Sequence, residues 1–263
     1  MIKTITKEQL IEEIRKISQE GWIKSVKKTK NTRNDGAVGN TPEKLLGIPE
    51  NSLPIANANG WELKGQRLHT SSLVTFPRGA DIVAKMLLPL YGWLHKQAGK
   101  KYPRNETSFR STTSATQFTN HGFTVVVDHT QRKIRFVFDS TRADSSDSEI
   151  VRWLKSVESR VGLGMFSPEP YWGFDDLRDL MGEKARNCFY VIADSKVEKG
   201  REYFSYQSLL MLSGFSFDNF LSCIERGIIQ IDFDARTHHN HGTKFRIRQD
   251  FWKELYAEVN QLF

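Results

Sequence analysis

The sequence predicts a mixed α/β protein of the α+β kind, one compact body divided into two lobes at residues 1–112 and 113–263. Two periodicities and the chain length predict it. Apolar residues recur at helical spacing in several stretches, and in others they alternate every second residue, as in half-buried strands. At 263 residues the chain can bury a sizeable core, and it lies between one large domain and two small ones.

The elements follow in order. After Thr6, a residue suited to capping, Leu10, Ile11, Ile14 and Ile17 share one face of an amphipathic helix over 6–20. Residues 22–39 carry Lys24, Lys27, Lys28, Lys30 and Arg33 among Asn, Thr, Asp and Gly, and read as a basic loop placed to touch phosphates. Thr41-Pro42-Glu43 has the signals of a helix start: a cap, proline at the first helical position and an acid in the first turn. Leu45, Leu46 and Ile48 give that helix its apolar face. Turn chemistry over 49–60 leads into Trp61-Glu62-Leu63-Lys64, an alternating run that reads as a strand with Glu62 and Lys64 on one face. Residues 80–97 read as a buried helix interrupted near Pro89, and 123–127 and 134–138 as strands joined by a short polar turn. Helices are predicted over 149–161 and 217–226 and strands over 189–193, 228–233 and 244–247. A final helix over 251–262 is placed to pack back on the first lobe.

Thirty-eight Lys and Arg against 31 Asp and Glu give a net charge of +7 and a pI near 9.3. A polyanion is therefore the first partner to consider, although such a surplus also serves as a solvated surface. Cys188 and Cys223 fall in apolar patterns and read as core residues, so neither a disulfide framework nor a cysteine zinc site follows. The first 21 residues lack a secretory apolar core, and no stretch approaches the ~18 consecutive apolar residues of a membrane span. The protein reads as cytoplasmic, with no membrane partner.

Glu62 and Lys64 carry the candidate chemistry. Two residues apart on a strand, they project the same way, so a carboxylate that can bind a divalent cation stands beside an ammonium that can reach an attacking water. Alone, the same spacing also describes a salt bridge on one face, and Glu43 also suits a helix dipole.

Context adds to the pair. The segments GNTPEKLLGIPEN at 39–51 and LPIANANGWELKGQR at 53–67 resemble the MvaI/BcnI-like type II restriction endonucleases, relatives of the strand-nicking repair enzyme MutH in the PD-(D/E)XK superfamily. GWIKS at 21–25, YPRNETSFRST at 102–112 and NHGTKFRI at 240–247 are similar to that family as well. The resemblance implies a restriction-endonuclease-like fold with a catalytic lobe followed by a DNA-recognition lobe. It also implies Mg²⁺ as cofactor and a monomer that cuts duplex DNA at short, nearly palindromic G/C-rich sites, one strand after the other. A cognate methyltransferase is the implied genetic partner.

On this resemblance Glu43 matches the helix-borne acid, Glu62 the strand acid and Lys64 the catalytic lysine, and Leu63 is a further metal-binding position. Asn57 stands where the family has its metal-binding Asp. An amide offers one neutral oxygen in place of two charged ones, so metal affinity and rate fall. The departure is natural, or reflects an offset of a residue or two, or is a deliberate inactivation. Asp to Asn is the smallest change that weakens metal binding with all else intact, which favours an inactivated variant. A non-catalytic DNA-binding protein and a MutH-like nicking enzyme are the rival readings.

For reading DNA, the candidates around 236–246 are Arg236, His238, His239, Asn240, His241, Lys244 and Arg246. Arg and His can donate to guanine and Asn can pair with adenine in the major groove, while the alternative is a solvated loop. The three histidines lack a zinc-ligand spacing. Lys28, Lys30, Arg67, His69, Arg78 and Arg110 are the further DNA candidates, with Arg104 and His121 in another polar stretch.

Overall fold

The computed structural model describes residues 5–27, 36–48, 60–67, 73–75, 83–237 and 239–263. The chain opens with α1 (Lys7–Gln19), β1 (Ile23–Lys24), α2 (Ala37–Leu45), β2 (Glu62–Arg67) and β3 (Leu73–Thr75). A π-helical turn (Val83–Leu87), α3 (Leu88–Tyr91), β4 (Trp93–Leu94), β5 (Thr107–Thr113), β6 (His121–Asp128) and β7 (Lys133–Ala143) follow. Next come α4 (Ser148–Val161), β8 (Tyr171–Gly173), α5 (Phe174–Arg186, broken at Gly182), β9 (Asn187–Glu198) and β10 (Arg201–Phe215). The chain finishes with α6 (Phe217–Glu225), β11 (Ile229–Arg236), β12 (His239–Arg248), α7 (Trp252–Leu255) and β13 (Tyr256–Gln261). No helix among the described residues is long and apolar enough to cross a membrane.

Packing gathers the chain into two units that interleave in sequence, where the sequence reading placed a single cut after residue 112. Met1–Ser72, Met181–Phe217 and Gln249–Phe263 form the first, and Leu73–Leu180 and Asp218–Arg248 the second. Strand pairing explains the interleaving of the first unit, because β2 lies parallel to β9, whose sequence comes more than a hundred residues later.

The first unit is a five-stranded sheet in the order β1-β10-β9-β2, with β13 sharing the β1 edge of β10. β9 and β10 form a long antiparallel hairpin whose tip, Lys199-Gly200, takes positive φ at both residues, as a tight hairpin turn requires. α1 begins as predicted: Thr6 accepts from the Gln9 N–H at 3.2 Å and the Gln9 side chain accepts from the Thr6 N–H at 3.0 Å, a reciprocal capping box. Its Leu10, Ile14 and Ile17 bury against Leu63, Phe189 and Phe204 of the sheet.

Helix α2 departs from its prediction. It begins at Ala37, so Pro42 lies inside it and Thr41 is no cap. Thr41 donates instead to the Ala37 carbonyl at 2.8 Å and accepts from the Val26 N–H at 3.3 Å. Proline removes the N–H that the Val38 carbonyl would accept from, and the Tyr206 hydroxyl donates to that carbonyl at 3.0 Å. Gly65 lets α2 lie against β2, since a Cβ there would stand 2.6 Å from the Val38 oxygen and 2.7 Å from Gly39 Cα.

Two other predicted helices are shortened. Over 80–97 the described chain forms the π-helical turn and α3, with Pro89 in the first turn of the latter, and then turns at Gly92 into β4. A Cβ at Gly92 would collide with the Leu88 carbonyl, so this turn requires glycine. Over 251–262 only Phe251, the end of a 3-10 turn, and α7 are helical. The rest is β13, because the exposed edge of β10 offers unpaired backbone groups that a strand satisfies, with Tyr256 opposite Phe215 and Val259 opposite Leu212.

The second unit holds a five-stranded antiparallel sheet, β3-β12-β11-β5-β4, and a three-stranded one, β6-β7-β8. An aromatic core fills it: Phe123 packs at 5.3 Å from Phe109, Phe136 and Phe138, and the Trp153 indole donates to the Tyr91 carbonyl at 2.8 Å. The strands predicted at 123–127 and 134–138, joined by a turn, form an antiparallel pair, and those predicted at 228–233 and 244–247 also pair antiparallel with each other. Cys188 and Cys223 are buried in the core, as predicted.

Candidate functional site

Alternation along β2 divides its side chains between two faces. Leu63 joins the core beneath α1 and α2, and Gly65 meets α2, so Glu62 and Lys64 project to the opposite face. In the parallel register Glu62 lies beside Cys188 and Lys64 beside Tyr190. The Trp252 ring packs tilted against Tyr190, centroids 4.2 Å apart, and the Tyr256 hydroxyl is 3.5 Å from the Cys188 sulfur, so α7 and β13 cover this face.

Glu62 is 9% exposed, and a carboxylate so buried needs cations nearby. Lys184 Nζ stands 4.0 Å from Glu62 Oε1 and supplies one. Lys64 supplies another, half-buried with Nζ 5.7 Å from the Tyr190 ring centroid. Burial disfavours its ammonium, while the Glu62 carboxylate and a hydrogen bond with the Tyr190 hydroxyl favour it, and the Lys64 pKa lies above its ordinary value. Burial pushes the Tyr190 and Cys188 pKa values up, so both groups stay neutral near pH 7. The face therefore presents one buried carboxylate against two ammonium groups.

Glu43 sits on α2. It lines a cleft of about 410 Å³ with Val26, Lys27, Asn40, Lys44, Gly47 and Ile48. Helix α2, which bears Glu43, packs on the Leu63 and Gly65 face of β2, opposite the face of Glu62 and Lys64. Asn57 lies outside the described residues. Among the described residues no group of three or more His, Cys, Asp or Glu side chains gathers as a metal site. The Glu62 carboxylate and the Leu63 main-chain carbonyl are nonetheless adjacent hard oxygen donors on an edge strand. A set of such low charge fits a cation that retains several waters, as Mg²⁺ does.

The second unit presents a polar sheet face. Along β11, Ile229, Ile231, Phe233 and Ala235 turn inward while Gln230, Asp232, Asp234 and Arg236 turn outward. Cross-strand neighbours complete pairs on that face: Arg246 reaches Asp232 at 3.0 Å and Arg110 reaches Asp234 at 2.6 Å. Thr112 donates to Asp232 at 3.0 Å. Arg236 pairs with Glu106 at 3.1 Å and stacks 4.5 Å from the Tyr102 ring centroid. The result is a row of guanidinium forks held in place by carboxylates on one sheet.

Comparison with known families decides what these faces belong to. The model of the MvaI/BcnI restriction endonuclease family matches residues 11–256. The chain belongs to that family. A solved structure described as the restriction endonuclease MvaI with its cognate DNA substrate is similar at 22% identity, covering 97% of this chain and 98% of that one with a TM-score of 0.74. MvaI in the absence of DNA is similar at the same identity and coverage with a TM-score of 0.49. The comparison with curated proteins gave no match.

In this MvaI/BcnI-family chain the predicted DNA contacts are placed unevenly. Arg110, Arg236, Lys244 and Arg246 share the outer face of the five-stranded sheet; His239 is exposed near its end, and Asn240 accepts from the Gly242 N–H at 2.7 Å. Arg67, expected along the duplex, is instead 4% exposed and paired inside the first unit with Glu202. His121 is half-buried: its ring stacks on Trp93 at 4.3 Å and lies 4.6 Å from Trp153. Lys28, Lys30, His69, Arg78 and His238 lie outside the described residues, as does the side chain of His241. Lys184, Asp232, Asp234 and Glu106 escaped the sequence reading. Only the alternation of acids with apolar residues over 231–235 could have signalled the two Asp residues.

Proposed function

We propose that this MvaI/BcnI-family protein is a site-specific, Mg²⁺-dependent endonuclease of duplex DNA that acts as a monomer in the cytoplasm, with a cognate methyltransferase as its genetic partner. The observation that carries the reading is the common buried face of Glu62 and Lys64 in a chain whose family match spans 11–256. Asn57, Glu62 and the Leu63 carbonyl would hold Mg²⁺, which when bound offsets charge building on the phosphate. Lys64, a cation throughout the neutral range, donates to the attacking water or a phosphate oxygen. Glu43 acts from the α2 side, and the first unit is the catalytic one.

The second unit would read the sequence. Each Arg and Asp pair on its outer face sets a forked donor beside an acceptor, and guanine O6 and N7 accept where cytosine N4 donates. That chemistry suits the edges of G·C pairs, in keeping with a short G/C-rich, nearly palindromic site. His238, His239, Asn240, His241 and Lys244 would extend the contact, and Lys28, Lys30, His69 and Arg78 would meet phosphates.

Asn57 favours a second reading, in which this chain binds its site and hardly cuts it, as an inactivated variant or a non-catalytic binder. One digest separates the two. Asn57→Asp incubated with mixed-sequence plasmid and Mg²⁺ is expected to gain cleavage at discrete sites, absent with EDTA. Salt-sensitive binding with no gain in cleavage would leave the binding reading standing and refute the endonuclease.

A further inference from the structure

We propose that Tyr206 is a positioning residue for the cleft side chains of α2, its hydroxyl standing in for the backbone donor that Pro42 lacks. The inference deepens the endonuclease reading and rests on it for the effect on cleavage. In an unbroken helix the Val38 carbonyl accepts from the N–H of residue 42. Proline has no N–H, and its ring crowds the same carbonyl. Tyr206, on the neighbouring sheet, donates to Val38 O at 3.0 Å, and both residues are 2% exposed, so water does not substitute.

The same carbonyl lies close against β2 on another side, where a Cβ at Gly65 would stand 2.6 Å away. Pinned between Gly65 and Tyr206, it sets the course of α2 beyond Pro42. Asn40, Glu43 and Lys44 on that helix line one cleft, and Thr41 ties in the opposite wall through the Val26 N–H beside Lys27. Burial pushes the Tyr206 pKa up, so the hydroxyl remains a donor through the neutral range. An ordinary core tyrosine would contribute stability alone. This one carries a backbone hydrogen bond for the helix that bears Glu43.

The pairing permits a rescue test, because Pro42→Ala restores the N–H and makes the hydroxyl dispensable. In the Asn57→Asp protein with Mg²⁺, Tyr206→Phe is expected to slow single-turnover cleavage about tenfold with DNA binding unchanged, the order expected when a buried acceptor loses its donor. Backbone amides of 39–46 should exchange about tenfold faster in that variant. Adding Pro42→Ala should abolish both effects. Unchanged exchange and cleavage in Tyr206→Phe, or equal losses with and without Pro42→Ala, would overturn the proposal. If Tyr206→Phe alone does not fold, recovery in the double variant supports it and failure to recover refutes it. A parent Asn57→Asp that never cleaves counts against the endonuclease reading, and amide exchange then decides the hydrogen bond by itself.

Discussion

Arg67 and Glu202 face each other inside the first unit, with the Arg67 Nε and Nη2 3.1 and 3.0 Å from the same carboxylate oxygen. At 4% and 8% exposure, neither charge has much water to fall back on. Removing one partner of such a pair costs more than removing both. Arg67→Met is therefore expected to lower stability by about 3 kcal/mol in urea unfolding, and Arg67→Met with Glu202→Leu to recover most of that loss. Equal losses in the two would show that an unpaired Glu202 is not what destabilises the single variant, and a fall in DNA affinity in the stable double variant would return Arg67 to the duplex. The contrast with Glu62 and Lys64 is physical. Their common face follows from the alternation of adjacent residues and was legible in the sequence, whereas the partner of Arg67 comes 135 residues later, through a sheet pairing that no local pattern encodes. Lys184 was hidden for the same reason.

At the scale of elements, local signals succeeded where the packing left them alone. The capping box of α1 and the strands of the second unit lie where capping chemistry and alternation put them. The signals at Thr41-Pro42-Glu43 misled because proline's usual place at a helix start was overridden by Tyr206 and Gly65, contacts supplied by distant strands. The carboxy-terminal helix gave way to β13 because the β10 edge had backbone groups to satisfy. The fit of α2 on β2 is correspondingly unforgiving. Gly65→Ala sets a methyl against backbone at 2.6 to 2.8 Å, which neither element can yield without moving. It is expected to cost on the order of 3 kcal/mol in denaturant unfolding, and a loss below about 1 kcal/mol would show α2 free to shift.

For the molecule as a whole, a charge of +7 makes binding to any duplex salt-sensitive, while discrimination belongs to a few side chains. On the proposed function, Arg246→Ala should lose about 1–3 kcal/mol of preference at a base pair and leave the salt slope within about one unit. A uniform loss across all sequences would instead make Arg246 a phosphate contact. The mixed fold and the family were legible in the sequence; the division into units was not, because contacts rather than chain order define it. That interleaving bears on how the protein is made. Strand β2, with Glu62 and Lys64, pairs only with β9 among the described strands, and the other three strands of its sheet include β10 and β13, which are synthesised later still. A nascent chain stalled anywhere before residue 187 thus holds its candidate catalytic strand without a neighbour. Ribosomes would release this sheet as a finished piece only after passing residue 261, so on the proposed function interrupted translation products should be unable to cut the DNA of the cell that makes them.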